Sequence, residues 1–289
     1  MKGTATVTLA MALMAGCSII PADNHNANGN GAEQGPLVCL QVTEYKDVES
    51  FGTFMTELES RGLASAVLVR DDFATENCER LQALHQAGHE IMVFVRAESE
   101  EGDTILLSTL PREEQEVLLR SGKTAIEDCL GESPVGFRST RFDQNEDTYG
   151  VLESLGFLYD LSFVARSESA PEGHEGDTLP YQLAGYSFWA VPMHSTDLGS
   201  GPVAFCDKPL SRAVDDTAEL GQLLQSELDT MFSRDHPLML EVHPHYTVPD
   251  ETIFNAYVDF LDYAVQQGAH FITTAELVDW TQQANSGDE

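Results

Sequence analysis

The sequence predicts an α/β protein in which strands and helices alternate around a parallel sheet or barrel. Short β-rich apolar runs recur along the chain, among them "LVCLQV" (37–42), "ASAVLV" (64–69) and "EIMVFV" (90–95). Each is followed by a stretch whose apolar residues recur at helical spacing. About 250 residues remain once an amino-terminal leader and the polar tether after it are set aside, the size of one α/β domain. Repeated strand–helix units of this kind place the functional loops at the C-terminal ends of the strands.

The elements follow in order. After the strand at 37–42, "DVESFGTFMTELESRG" carries Val48, Phe51, Phe54, Met55 and Leu58 at helical spacing, with Gly62 as its stop. After the strand at 64–69, "TENCERLQALHQAG" reads as a helix capped by Thr75 and ended by Gly88. The strand at 90–95 leads to "PREEQEVLLRSGKTAIEDCLG", a helix with Pro111 in its first turn, and then to the strand "VGFRS". "DTYGVLESLG" and "FLYDLSF" repeat the pair. Beyond an irregular middle, "AELGQLLQSELDTMF", "LMLEVH", "TIFNAYVDFLDYAVQQG" and "HFITTAELVDW" complete the series.

The leader "MKGTATVTLAMALMAGCSII" has Lys2 ahead of an apolar core from Val7 to Ala15, too short to span a bilayer. "LMAGC" resembles a bacterial lipobox. That resemblance implies cleavage before Cys17 and acylation of its thiol, and Ser18 after it implies sorting to the outer membrane. The expected organisation is a signal peptide at 1–16, a flexible tether at 17–36, a folded domain at 37–282 and a tail at 283–289. The tether holds Asn, Gly and Ala with almost nothing to bury.

With 15 basic and 48 acidic residues the net charge is −33. Such a chain repels nucleic acid and anionic headgroups, which excludes nucleic-acid binding. The acids are spread throughout, as in a surface adapted to high salt, and the same surface suits a cationic polymer. Self-repulsion is worst where screening is poor, so the thermal midpoint is expected to rise with NaCl into the molar range. A midpoint indifferent to salt would leave the acid excess without this explanation.

Beyond Cys17, the chain has Cys39, Cys78, Cys129 and Cys206. In an exported protein these permit two disulfides or buried thiols, and the three pairings are not distinguished. No CxxC spacing indicates a zinc knot. No GxSxG, GxGxxG or P-loop is present.

Five pieces in order, "LHQAGHEI", "LLRSGKTAIEDCLGESPVGFRS", "LESLGFLYDLSF", "LEVHP" and "GAHFITTAELVDW", together resemble the NodB-type polysaccharide deacetylases, carbohydrate esterase family 4, over residues 37–280. The resemblance implies an α/β fold, a distorted (β/α) barrel of the polysaccharide deacetylase type. It also implies metal-dependent removal of acetyl from N-acetylated sugars. In that chemistry one carboxylate and two imidazoles hold a divalent metal that polarises the carbonyl and acidifies its water. A second carboxylate takes the water's proton, and a histidine protonates the departing amine.

Carried over residue by residue, the pattern is degenerate. Thr43 and Glu44 stand where paired acids are expected, so the base is missing and Glu44 is the surviving metal carboxylate. Phe94 and Glu98 stand at the two imidazole positions, leaving Glu98 as a substitute ligand. Arg138 matches the arginine that orients the base and is expected to face Glu44 or a loop acid. His243 falls at the general-acid position, while His89 of "GHE" is read as structural. Arg141, Trp189 and Tyr246 are candidate sugar-binding residues, with Tyr186 and Phe142 as further stacking faces. Asp71 and Asp72 end the second strand and are expected on the rim. His194 and Asp197 with His243 and His245 form an alternative cluster if the loops converge.

The expected function is a lipid-anchored cell-envelope protein that binds envelope polysaccharide or peptidoglycan, with deacetylation reduced or absent and no metal or a weakly bound divalent one. The alternative is an active N-deacetylase, with zinc, using Glu44, Glu98 and His243; a third reading is an acidic interaction module. The double change Thr43→Asp with Phe94→His is expected to restore some zinc affinity.

Overall fold

The structure, a computed structural model, describes residues 35–44, 47–167, 170–199, 201–214 and 216–286. Cys17, its lipobox and nearly all of the tether lie outside the described residues.

The chain opens with β1 (Leu37–Thr43) and α1 (Val48–Arg61). Asp47 caps α1 by accepting the Ser50 N–H, and Gly62 ends it in the left-handed region at φ 66°. β2 (Ala66–Val69) runs straight into α2 (Asp71–Glu76), and α3 (Cys78–Gln86) follows. The single helix expected from Thr75 is therefore two, broken where Asn77 leaves helical geometry (φ −124°, ψ 31°). β3 (Glu90–Val95) and a small antiparallel pair, β4 (Ala97–Glu98) and β5 (Thr104–Ile105), lead to α4 (Arg112–Leu130), which Pro111 precedes as N-cap. Next come β6 (Gly136–Ser139), α5 (Glu146–Leu155) and β7 (Tyr159–Val164). The middle of the chain supplies β8 (Tyr181–Gln182), β9 (Trp189–Met193), the hairpin β10 (Ser195–Asp197) with β11 (Pro202–Ala204), and α6 (Asp207–Ala213). α7 (Thr217–Ser233), β12 (Leu238–Val242), α8 (Pro244–Thr247), α9 (Glu251–Gln266), β13 (His270–Phe271) and α10 (Thr274–Ser286) complete it. α10 continues past residue 282, where the sequence was expected to leave the domain.

The main sheet has the order β12-β1-β2-β3-β6-β7-β9-β8, with β13 paired to β1. Its neighbours are parallel except β8 against β9. Curled and packed against helices, it is the distorted (β/α) barrel that the resemblance implies. Strand periodicity divides its side chains between two cores. Val38, Leu40 and Val42 of β1, with Val67, Val93 and Leu240, face outward and meet the helices through Phe51, Leu119, Leu224 and Phe260. Cys39, Leu68, Met92, Leu161, Val191 and Met239 face inward and are joined by Leu277 and Val278 of α10. Further along the same inward faces the residues turn polar. Gln41, Thr43, Arg138 and Glu241 are all buried there. Apolar filling at the strands' N-terminal ends thus gives way to a polar layer at their C-terminal ends.

Glu90 anchors the lower end. Its carboxylate accepts the Thr274 and Ala275 N–H groups at 2.8 and 3.3 Å, capping α10, and also bonds the Tyr159 hydroxyl. Burial pushes this carboxyl up to about 7. On the outside, Cys78 and Cys129 form a disulfide that joins α3 to α4, while Cys39 and Cys206 are buried thiols. One bridge forms rather than the two that were permitted. Gly122 sets the approach of α4 to the sheet, since a Cβ there would lie 2.7 Å from Val93 Cγ1.

Candidate functional site

Glu241 near the end of β12 and His243 just beyond it are two residues apart, so both project to the inner side of the sheet. Beside them runs the segment that leads into α6. Glu241 N–H donates to the Phe205 carbonyl at 3.1 Å, and Phe205 N–H donates to the His194 carbonyl at 2.7 Å. This stitching sets Asp207 against His243. Asp207 Oδ1 lies 2.8 Å from His243 Nδ1, and Oδ2 accepts the His243 N–H and the Thr247 hydroxyl, each at 2.7 Å. Burial works to raise the Asp207 pKa, but His243 and these hydrogen bonds hold it below the usual carboxylate range. Sequence reasoning missed Asp207; its only signal is an acid directly after the apolar "VAFC".

Glu241 was also missed, although a lone acid inside the apolar "LMLEV" was there to be weighed. Its Oε2 accepts from Arg138 Nη2 at 2.7 Å and its Oε1 from the Thr43 hydroxyl at 2.7 Å. The same Oε1 lies 3.6 Å from His243 Nε2. Burial opposes the charge, yet Arg138, His243 and Thr43 together keep the Glu241 pKa lowered. Arg138 also donates to the Leu161 carbonyl at 3.0 Å, and its guanidinium sits 3.5 Å from the centre of the Phe142 ring. Arg138 was expected to face Glu44 or a loop acid; its partner is instead an acid on a strand. The reason is the inward face shared by β6, β1 and β12.

The positions implied for a metal are occupied by other chemistry. Phe94 is buried in the inner apolar core. Glu98 on β4 accepts from Arg96 Nε at 2.7 Å and lies 3.7 Å from Arg70 Nη1. Glu44 is buried and is held close to β2 by its N–H, which donates to the Leu68 carbonyl at 2.9 Å. Burial lowers the Arg70 pKa, but its bond to Asp72 and the charges of Glu98 and Glu44 more than offset this. Glu98 therefore faces two guanidinium groups, which already supply the positive charge that a divalent ion would bring. The cavity beside Phe94, Arg96 and Glu98 measures about 80 Å³, against about 300–1,000 Å³ for ligand pockets. These residues do not fit the metal that the resemblance implies.

Among the described residues, one group of three donors of metal-binding type comes together: Cys206, Glu241 and His243, with donor atoms within 4.8 Å of one another. This set fits a divalent ion poorly as well. Both Glu241 oxygens are engaged, one by a guanidinium. Burial, with Glu241 and Asp207 nearby, pushes the Cys206 thiol well above its ordinary value.

Tyr246 joins the rim. Its hydroxyl shares a hydrogen bond with Ser211 Oγ at 2.7 Å, and Lys208 Nζ lies 5.8 Å from its ring centre. Lys208 Nζ also lies 3.0 Å from His245 Nε2. Burial and the Lys208 charge push His245 down to about 4, so it is neutral at pH 7 and accepts from the ammonium. Arg141 is exposed just past β6, where it and Phe142 adopt left-handed backbone (φ 57° and 58°), a costly geometry for side-chain-bearing residues. Asp71 and Asp72 open α2 directly after β2, on the rim as expected. Trp189 is not brought to the site. It opens β9 opposite Tyr159, at the other end of the sheet, because the parallel register puts strand starts together. The alternative histidine cluster does not assemble, since His194 turns to Glu227 of α7 at 3.0 Å. His89 is buried against Ser65 Oγ at 2.8 Å, away from the polar layer.

No family profile and no curated protein matches the chain. Solved structures do. A polysaccharide deacetylase from Mycobacterium smegmatis, described as putative, aligns with a TM-score of 0.61 and 18% identity, covering 90% of this chain and 95% of that one. A probable polysaccharide deacetylase from Pseudomonas aeruginosa PAO1 aligns at 0.63 and 14%, over 84% and 90%. A mutant of BA3943, described as a CE4 family pseudoenzyme with restored enzymatic activity, aligns at 0.52 and 11%, over 85% and 68%. An allantoinase aligns at 0.63 and 14%, so the likeness does not specify a substrate. With the strand order and the polar layer already described, these similarities show that the chain has the fold of the NodB-type polysaccharide deacetylases of carbohydrate esterase family 4.

Proposed function

We propose that the chain is an exported envelope lipoprotein that binds envelope polysaccharide or peptidoglycan and does not carry out metal-dependent deacetylation. The observation that supports this reading best is the pairing of Glu98 with Arg96 and Arg70, beside Phe94 in the apolar core. A metal site needs ligands that are free to bind, and guanidinium partners compete directly with the ion. The BA3943 protein supports the reading by analogy, as a pseudoenzyme of the same fold. The Cys78–Cys129 disulfide agrees with export to an oxidising compartment. Because the cavity beside Glu98 is too small for a sugar ring, the polymer lies along the open rim at Tyr246 and Arg141.

The second reading, an active N-deacetylase with zinc held by Glu44, Glu98 and His243, draws on the intact Asp207–His243 pair, which suits proton donation to a leaving amine. The two readings separate on acetate release from acetylated chito-oligosaccharides or peptidoglycan fragments with Zn²⁺, Co²⁺ or Mn²⁺ added. The expected result is little or no acetate, with co-sedimentation of the protein on insoluble peptidoglycan. Robust metal-dependent turnover that disappears in Glu44→Ala would establish the enzyme instead. For the anchor, Cys17→Ser is expected to move the protein from the membrane to the soluble fraction. Unchanged membrane association would rule lipidation out.

A further inference from the structure

We infer that Glu241 is a relocated site carboxylate: it takes over, from the neighbouring strand, the arginine-pairing role that the deacetylase pattern gives to an acid at position 43, and it holds His243 from the Nε2 side. It deepens the reading above by naming the side chains that form the floor of the groove.

Four observations converge on it. Position 43 carries a hydroxyl in place of a carboxylate, and that hydroxyl donates to Glu241 at 2.7 Å rather than to solvent. Arg138 is kept, and its side chain and that of Glu241 are 3% and 1% exposed, so the two form a buried ion pair at 2.7 Å. The register pairs Gln41 with Glu241 across β1 and β12, which puts Glu241 diagonal to Thr43 on the same inward face. Finally, His243 lies between two carboxylates, with Asp207 Oδ1 at 2.8 Å from Nδ1 and Glu241 Oε1 at 3.6 Å from Nε2.

The move has a chemical consequence. An acid at 43 would adjoin Glu44 and the implied metal. An acid at 241 instead adjoins His243, two residues on and just past the end of β12. The site is thereby rebuilt as an acid–histidine–acid array with an arginine. Glu241 is a positioning residue in this array, acting through Arg138 and His243. Restoring a metal site by Thr43→Asp with Phe94→His then fails while Glu241 remains, because two carboxylates would contend for one guanidinium.

The test uses the full chain without sugar, so its outcome is separate from that of the polysaccharide reading. Glu241→Leu is expected to lower the folding equilibrium constant by about 10²–10³-fold, since it strands the Arg138 charge. Adding Thr43→Asp to that variant is expected to recover most of the loss. Thr43→Asp alone is expected to destabilise, through two adjacent carboxylates. A double variant no more stable than Glu241→Leu overturns the relocation. Glu241→Gln, which keeps the side-chain shape and an oxygen facing Arg138, is read by the His243 ring ¹⁵N resonances of its folded form at pH 7. A shifted Nε2 resonance supports the clamp, and an unmoved one overturns it.

Discussion

Replacing Arg138 with methionine is expected to cost about 3–5 kcal/mol of stability at pH 7, because it leaves Glu241 charged and buried without its guanidinium partner. Glu241 is 1% exposed and Arg138 2%, so water replaces neither partner. The effect has a pH signature. In the native protein the Glu241 pKa lies below its ordinary value. The pair therefore contributes fully above the unfolded carboxylate's range, about pH 4.3, and its contribution fades as pH falls through the lower folded value. In the variant the sign reverses: burial without Arg138 raises the Glu241 pKa, and stability falls as pH climbs past about 4.3. The gap between native and variant should thus be several times wider at pH 7 than at pH 3 in urea unfolding. Equal losses at the two pH values would show that packing, not charge, is what Arg138 supplies. Arg138→Met combined with Glu241→Leu should regain most of the loss, since removing both charges leaves neither stranded.

The second large effect concerns the Cys78–Cys129 bridge. The cysteines are 51 residues apart, and the loop they close spans α3, β3, the β4–β5 pair and most of α4. Closing a loop of that size removes enough unfolded-chain entropy to stabilise the fold by about 4 kcal/mol. Cys78→Ala with Cys129→Ala is expected to lose that amount, measured against the native protein under oxidising conditions. Under dithiothreitol the native protein should fall to nearly the stability of the variant. A variant within 1 kcal/mol of the native protein would mean that the bridge adds nothing to folding. Cys39 and Cys206 are buried apart from this bridge. Burial pushes Cys39 up to about 12, so it should resist alkylation until the protein unfolds.

Much of the fold is legible in the residues themselves. "LVCLQV", "EIMVFV" and "LMLEVH" form strands of the main sheet because continuous apolar runs suit strands covered on both faces. The helices after them follow from 3.6-residue spacing closed by Gly62, Gly131 and Gly156, each left-handed. Local chemistry misjudged the segment around Asn77, where a helix breaks without glycine or proline. The losses at the site were legible too, for Thr43 has no carboxylate and Phe94 no ring nitrogen in any fold.

What replaces those losses was decided only by tertiary structure. Glu241 meets Arg138 across 103 residues of sequence and Thr43 across 198. Asp207 reaches His243 from the first residue of α6, a short helix that the periodicity of the sequence did not mark. Strand register decides such meetings, because it chooses which inward-facing side chains share a level of the barrel, and register is a property of paired strands rather than of any one. The same rule sends Trp189 to the far end of the sheet. The sequence by itself determined the alternating strand–helix scaffold, and that positions 43 and 94 carry neither a carboxylate nor an imidazole. The packed sheet decided that the carboxylate beside Arg138 and Thr43 comes from β12, since a buried carboxylate keeps its charge only where a partner lies within hydrogen-bonding reach.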